Sequence, residues 1–204
     1  QYVEGVRPDL LGLFPLITAD YATLGPVLDL ALSSGRSVYL VKEMPGIEVK
    51  VTTEPQGSLW RLVGPAATNE PFYELDIHLA DRVALTGYDR IPSSPGPGTE
   101  FQVCLYWEPL QPLVDEYHTF VHLIAAEGQV VTQSDHRPGG AYYPTTLWQP
   151  GERLRDDHML TVPPDTLPGV YRLLAGMYTL GGGDTPLPLG TAATIGSVAI
   201  KTGI

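Results

Sequence analysis

The stretch EFQVCLYWE, Glu100 to Glu108, decides how this chain is read. Phe101, Val103, Leu105 and Trp107 alternate with Gln102, Cys104, Tyr106 and Glu108. A period of two places one apolar face on a core and marks a half-buried β-strand. The same period recurs outward from it. Candidate strands run over residues 82–89, 100–108, 117–126, 129–135, 152–162, 169–180 and 193–201. In the sixth, Tyr171, Leu173, Ala175 and Met177 share one face, and Glu127-Gly128 joins the third and fourth as a tight hairpin. Seven strands at this spacing predict an antiparallel sandwich.

One local signal sharpens that expectation. LPGVYRLLAGMY, Leu167 to Tyr178, resembles the L-x-P-G-x-Y entry into the sixth strand of fibronectin type III-like sandwiches. The resemblance implies a seven-stranded immunoglobulin/fibronectin III-like β-sandwich over residues 74–204. It makes Tyr171 a corner tyrosine, with a structural role, whose hydroxyl bonds back to the backbone between strands.

The first third of the chain has another period. Leu10 to Phe14 reads as a short buried strand. Leu24, Leu28, Ala31 and Leu32 fall on one helical face, with Pro26 suited to the first turn and Gly35 to the residue after the last. Arg36 to Lys42 reads as a second strand, and strand–helix–strand implies a right-handed parallel crossover. IEVKVTTEPQGSLWRLVG looks like a hairpin turning at Glu54-Pro55-Gln56-Gly57. The expected organisation is thus α+β: a small α/β region (βαβ plus hairpin) at 1–66, a linker at 67–73, and the sandwich at 74–204. So small a first region has a thin core and is expected to lean on the second. LITADYATLG is neither a G-x-G-x-x-G nor a Walker loop, which argues against a nucleotide site.

Composition removes several function classes. The 204 residues carry 12 Lys+Arg against 23 Asp+Glu, a formal charge of −11. An acidic surface repels phosphate backbones and anionic headgroups, so no nucleic-acid partner is expected. Cys104 is the one cysteine, which forbids an internal disulfide and every Cys-based zinc pattern. The longest apolar run, LLGLFPLI, is too short to span a bilayer. The chain begins at Gln1, which reads as a piece of something longer.

Residues able to carry chemistry are few. His118 and His122 stand four apart, but on a strand that spacing is ~13 Å at a ~3.3 Å rise, too far for one ion to bridge. Asp135, His136, Asp156, Asp157 and His158 can meet at a sandwich end and offer ligands to a divalent ion. The preferred reading is a solvated acid–base cluster, with no metal and no cofactor expected. No G-x-S-x-G elbow exists, and Cys104 lies within a strand without an evident base. No catalytic residue is assigned. AYYPTTLWQPGE, Ala141 to Glu152, holds Tyr142, Tyr143 and Trp148. With Asp135 and His136 these are the candidate glycan-binding residues. Burial at the open end of the sandwich is the preferred reading of the three rings.

The stretch from Trp107 to Tyr178 resembles the C-terminal soluble domain of large multi-pass membrane proteins of Chloroflexi-like bacteria, glycosyltransferases of the protein-mannosyltransferase-like type. The likeness rests on Phe120-Val121-His122-Leu123, Gln133, Asp135, Tyr143-Pro144-Thr145, Trp148, Pro150-Gly151-Glu152, Asp156, and Pro168-Gly169 with Tyr171. It implies an extracytoplasmic, non-catalytic accessory domain whose partner is the membrane-embedded remainder of its parent chain. Its chemistry would reside in that membrane part. A carbohydrate-binding module is the alternative, and a stand-alone glycoside hydrolase the third.

Overall fold

The computed structural model describes residues 24–66, 70–181 and 184–201. In chain order these form helix α1 (Leu24–Ser33) and strands β1 (Val38–Leu40), β2 (Val51–Gln56), β3 (Leu59–Pro65), β4 (Tyr73–Leu79), β5 (Val83–Tyr88), β6 (Glu100–Pro109), β7 (His118–Ile124), β8 (Val130–His136), β9 (Leu154–Thr161), β10 (Gly169–Leu180), β11 (Pro186–Pro188) and β12 (Ala193–Ile200). Short 3₁₀ turns lie at Ile47–Val49 and Thr145–Leu147.

Two antiparallel sheets make an immunoglobulin-like sandwich. One has the order β4-β5-β6-β9, and the other β11-β10-β7-β8 with β12 also on β10. The alternation read in Glu100–Glu108 sets the inner face: Phe101, Val103, Leu105 and Trp107 are buried against Val121, Leu123, Leu173 and Ala175 of the facing sheet. All seven expected strands are present, as β5 to β10 and β12. β4 was not expected. Its turn residues Ala80 and Asp81 take φ of 49° and 53°, a left-handed turn carrying no glycine signal.

The α+β expectation is corrected. There is no βαβ unit among the described residues. β1 pairs antiparallel with β3, and the small sheet has the order β1-β3-β2. The hairpin itself is real, but it turns at Gly57-Ser58, with Gln56 opposite Leu59 and Gly57 at φ 64°. The sequence argument assumed that a strand following a helix must return parallel; here it adds to the edge of a hairpin instead. The strand expected at Leu10 to Phe14 lies outside the described residues.

The first region does lean on the sandwich. Leu24, Leu28, Ile47, Val51 and Leu62 form its small core, packed also by Tyr142 and Leu147 from the sandwich loop. Val49 goes the other way, into the main core. β4 begins at Tyr73, within the stretch expected as linker.

Candidate functional site

β8 and β9 are the edge strands of opposite sheets, and they face one another. Alternation along β9 turns Leu154, Asp156, His158 and Leu160 inward and leaves Asp157 and Met159 outside. Two polar side chains therefore occupy core positions, where each polar atom needs a partner. The partners come from both sheets. Asp156 Oδ2 accepts from Trp107 Nε1 of β6 at 3.0 Å and lies 3.0 Å from His158 Nε2. Asp156 Oδ1 lies 2.7 Å from His136 Nε2 of β8. His158 Nδ1 sits 3.1 Å from the Ser134 carbonyl oxygen. The two imidazoles pack with centroids 4.3 Å apart.

Asp156 is 2% exposed and His158 0%. Burial alone would raise the Asp156 pKa, but the neighbouring His158 and His136 outweigh it and hold the carboxyl well below the usual range. The hydrogen bond to Asp156 raises the His136 pKa, against the opposing effect of burial. A cleft of ≈330 Å³ opens beside His136 and Asp156, walled by Gly46 and Glu48 of the first region and by Gly139 and Gly140.

The AYYPTTLWQPGE stretch lies on the other side of those glycines. Tyr143 is 0% exposed and Trp148 2%, while Tyr142 is half-buried with Lys42 Nζ 5.2 Å from its ring centroid. These rings do not form an exposed stacking platform. They build a joint. Tyr143 donates its hydroxyl to Glu152 Oε2 at 2.9 Å, and its carbonyl accepts from Trp148 Nε1 at 3.3 Å. Glu152 also accepts the Gln149 amide and pairs with Lys50 of the first region, which in turn pairs with Asp29 on α1 at 3.0 Å. Burial and the Glu152 carboxylate lift the Tyr143 hydroxyl far above its ordinary pKa. The backbones touch as well. Gly46 has φ 96°, and a Cβ there would overlap the Gly139 carbonyl, so only glycine allows the approach.

Other expected residues are dispersed. Asp135 turns to the opposite face of β8 from His136 and meets His122 at 3.2 Å on the sheet exterior. Asp135 and His136 thus point to opposite faces of the sheet. His118 stacks on Tyr178 along that same exterior. Asp157 pairs with Arg155 at 2.9 Å. Burial, with Asp157 adding to it, pushes the Cys104 thiol up to about 12. Tyr171 donates its hydroxyl to the Leu167 carbonyl at 2.7 Å, the geometry of a tyrosine corner. Trp107 was read only as a core residue. The alternation of residues 154–160 turns Asp156 inward, and the structure places the Trp107 indole donor beside it.

Among the described residues no helix is long and apolar enough to cross a membrane. No protein-family model matches the chain, and no curated protein is significantly similar. Among solved structures, it is similar to the C-terminal domain of Wzt at 10% identity, covering 66% of this chain and 84% of that one, with a TM-score of 0.41. It is similar to a Niemann-Pick type C2 protein from Japanese carpenter ant at 11% identity, covering 64% and 100%, with a TM-score of 0.38. AvmM, which catalyses macrocyclisation in alchivemycin A biosynthesis, aligns at 12% identity over 61% and 91%, with a TM-score of 0.41. Likenesses this distant say nothing about the ligands of this chain.

Proposed function

We propose that this chain is a non-catalytic accessory module of a larger membrane glycosyltransferase-like protein, facing outside the cytoplasm and packing against the membrane-embedded part. The observation that supports it is the joint at Tyr143, Glu152, Lys50 and Asp29. The sequence features that resembled such proteins, Tyr143-Pro144-Thr145, Trp148 and Pro150-Gly151-Glu152, are spent on holding two parts of the chain in one orientation. A rigid coupling suits a module that transmits position. The reactive groups fit poorly with catalysis. Asp156 has both oxygens engaged and stays ionised, which is wrong for a general acid. Cys104 is a thiol at neutral pH, which is wrong for a nucleophile.

The test has two arms. The chain is incubated with polysaccharides, aryl glycosides and lipid-linked sugar plus acceptor peptide; no release or transfer is expected, and turnover above blank would sink the non-catalytic reading. The separately expressed membrane part is then passed over the immobilised chain. Retention is expected, and its loss in Lys50→Met/Glu152→Gln would tie it to the joint. Failure to retain it would remove the packing role.

A second reading has its own observation. Phe72 is 50% exposed and lines an open groove of ≈480 Å³ together with Asp89, Arg90, Gln102 and Arg155. An exposed ring beside polar donors and acceptors suits a sugar. Glycan-array binding lost in Phe72→Ala would move carbohydrate recognition to this outer face of the β4-β5-β6-β9 sheet.

A further inference from the structure

We infer that His136, Asp156 and His158 form a transition-metal site of the zinc class, clipping the edge strands of the two sheets together. One ligand atom from each lies within 4.8 Å of the other two. Two imidazoles and one carboxylate are a borderline ligand set, suited to Zn²⁺ and its Co²⁺ surrogate and poorly suited to Ca²⁺ or Mg²⁺, which favour all-oxygen shells.

The outer partners are what distinguish this cluster from an ordinary buried ion pair. Ligating histidines ordinarily donate the other ring N–H to a carbonyl or carboxylate, which fixes tautomer and ring plane. His158 does this: Nδ1 faces the Ser134 carbonyl oxygen at 3.1 Å, leaving Nε2 directed at Asp156. The Asp156 carboxylate is oriented by the Trp107 indole N–H at 3.0 Å. Both nitrogens of the buried His158 ring thus face oxygen atoms, with Nδ1 also 3.3 Å from the Ser134 hydroxyl. A cation placed between Nε2 and Asp156 would take both as ligands while Nδ1 stays on Ser134. His136 completes the set from the facing strand. Its side chain is 36% exposed and lines the cleft with Asp156, so an ion has a route in and a fourth position, open to water, on the cleft side. The sequence raises this meeting but favours a solvated cluster; that expectation is corrected, because the alternation of β9 turns Asp156 and His158 into the core.

The chain, stripped with chelator and dialysed, is titrated with Co²⁺ and then Zn²⁺. One equivalent of Co²⁺ should bring up visible ligand-field bands, and Zn²⁺ should displace them. Zn²⁺ at about 100 times its dissociation constant should raise Tm by roughly 5–10 °C. His136→Gln keeps a donor for Asp156 and sits at the surface, so the fold survives; it should weaken binding at least tenfold. His78→Gln is the control, since exposed His78 meets Asp76 and Asp81 and offers the acidic surface a weak rival site; it should change nothing. Absence of the bands, equal binding by His136→Gln, or loss with His78→Gln instead would each overturn the site.

Discussion

Lys50→Met and Glu152→Gln, made singly and together, test whether the two parts of the chain are coupled through a buried ion pair. The Lys50 and Glu152 side chains are 9% and 14% exposed. Removing one partner of a buried pair leaves the other charge desolvated, typically at about 3–5 kcal/mol. Glu152 keeps the Tyr143 hydroxyl and the Gln149 amide as donors, so Lys50→Met falls below that range, at about 2–3 kcal/mol. Glu152→Gln preserves shape and leaves Lys50 its pairing with Asp29, which costs about 1–2 kcal/mol. The double variant should fall short of the sum by about 1–2 kcal/mol, the coupling expected of groups in contact. For a chain of this length Lys50→Met lowers Tm by roughly 4–12 °C. Burial pulls the Lys50 pKa down, but Glu152 and Asp29 together leave it raised. Its contribution is therefore fully present below the unfolded value of 10.5 and lost as pH rises through the folded one, so the lysine's part of the coupling fades in alkali. Urea unfolding followed by tryptophan fluorescence and circular dichroism reads this out. Additivity within about 0.5 kcal/mol, or two separate transitions in the parent chain, would refute the joint.

Trp148→Ala removes a ring that is 2% exposed and should cost about 3–5 kcal/mol, lowering Tm by roughly 6–20 °C; a shift under 2 °C would mean that the ring is not part of the core. Cys104, with its thiol raised to about 12, should resist thiol reagents at pH 8 until urea unfolds the chain, and labelling of the native protein would contradict its burial. Burial, with Arg137 adding to it, lowers the His118 pKa, so the native state prefers the neutral ring. Stability should then decline as pH falls below about 6.5, and His118→Phe should flatten that slope in calorimetric scans. A chain starting at residue 70 should aggregate or unfold early by light scattering; a soluble, cooperatively folding product would show that the sandwich stands alone.

The sandwich was legible because its strands obey a period of two on one face. Seven of its strands follow from alternation alone, as in Phe101 to Trp107 and Tyr171 to Met177. β4 escaped because Tyr73 to Leu79 is mostly exposed and its turn at Ala80-Asp81 lacks glycine. The first region was misread for a topological reason. α1 and the strand after it were placed correctly, but local pattern does not say which edge a short strand such as Val38–Leu40 will join. The site divides in the same way. Asp156 and His158 are two apart on one strand and their shared face was readable. Their meeting with His136 was raised as one possibility among five residues, but which of the five converge depends on two sheet edges facing each other, which no spacing in the chain encodes.

That facing of edges also explains why the first region sits where it does. β8 and β9 end their sheets, and an edge strand presents unpaired backbone groups to any passing chain. Here the edges are closed by side chains and by a neighbour. His136, Asp156 and His158 tie one edge to the other. The turn Ile47–Val49 lies against β9 and sends Val49 into the main core. Gly46 against Gly139 lets that turn approach at backbone distance, and Lys50 reaches past it to Glu152. Apolar burial, close backbone contact and the ion pair all act within the five residues 46–50. The segment thus works as a cover for the open side of the sandwich more than as part of an independent domain. The Tyr143 to Glu152 stretch answers it from the other side, which is why its aromatics are packed and not displayed.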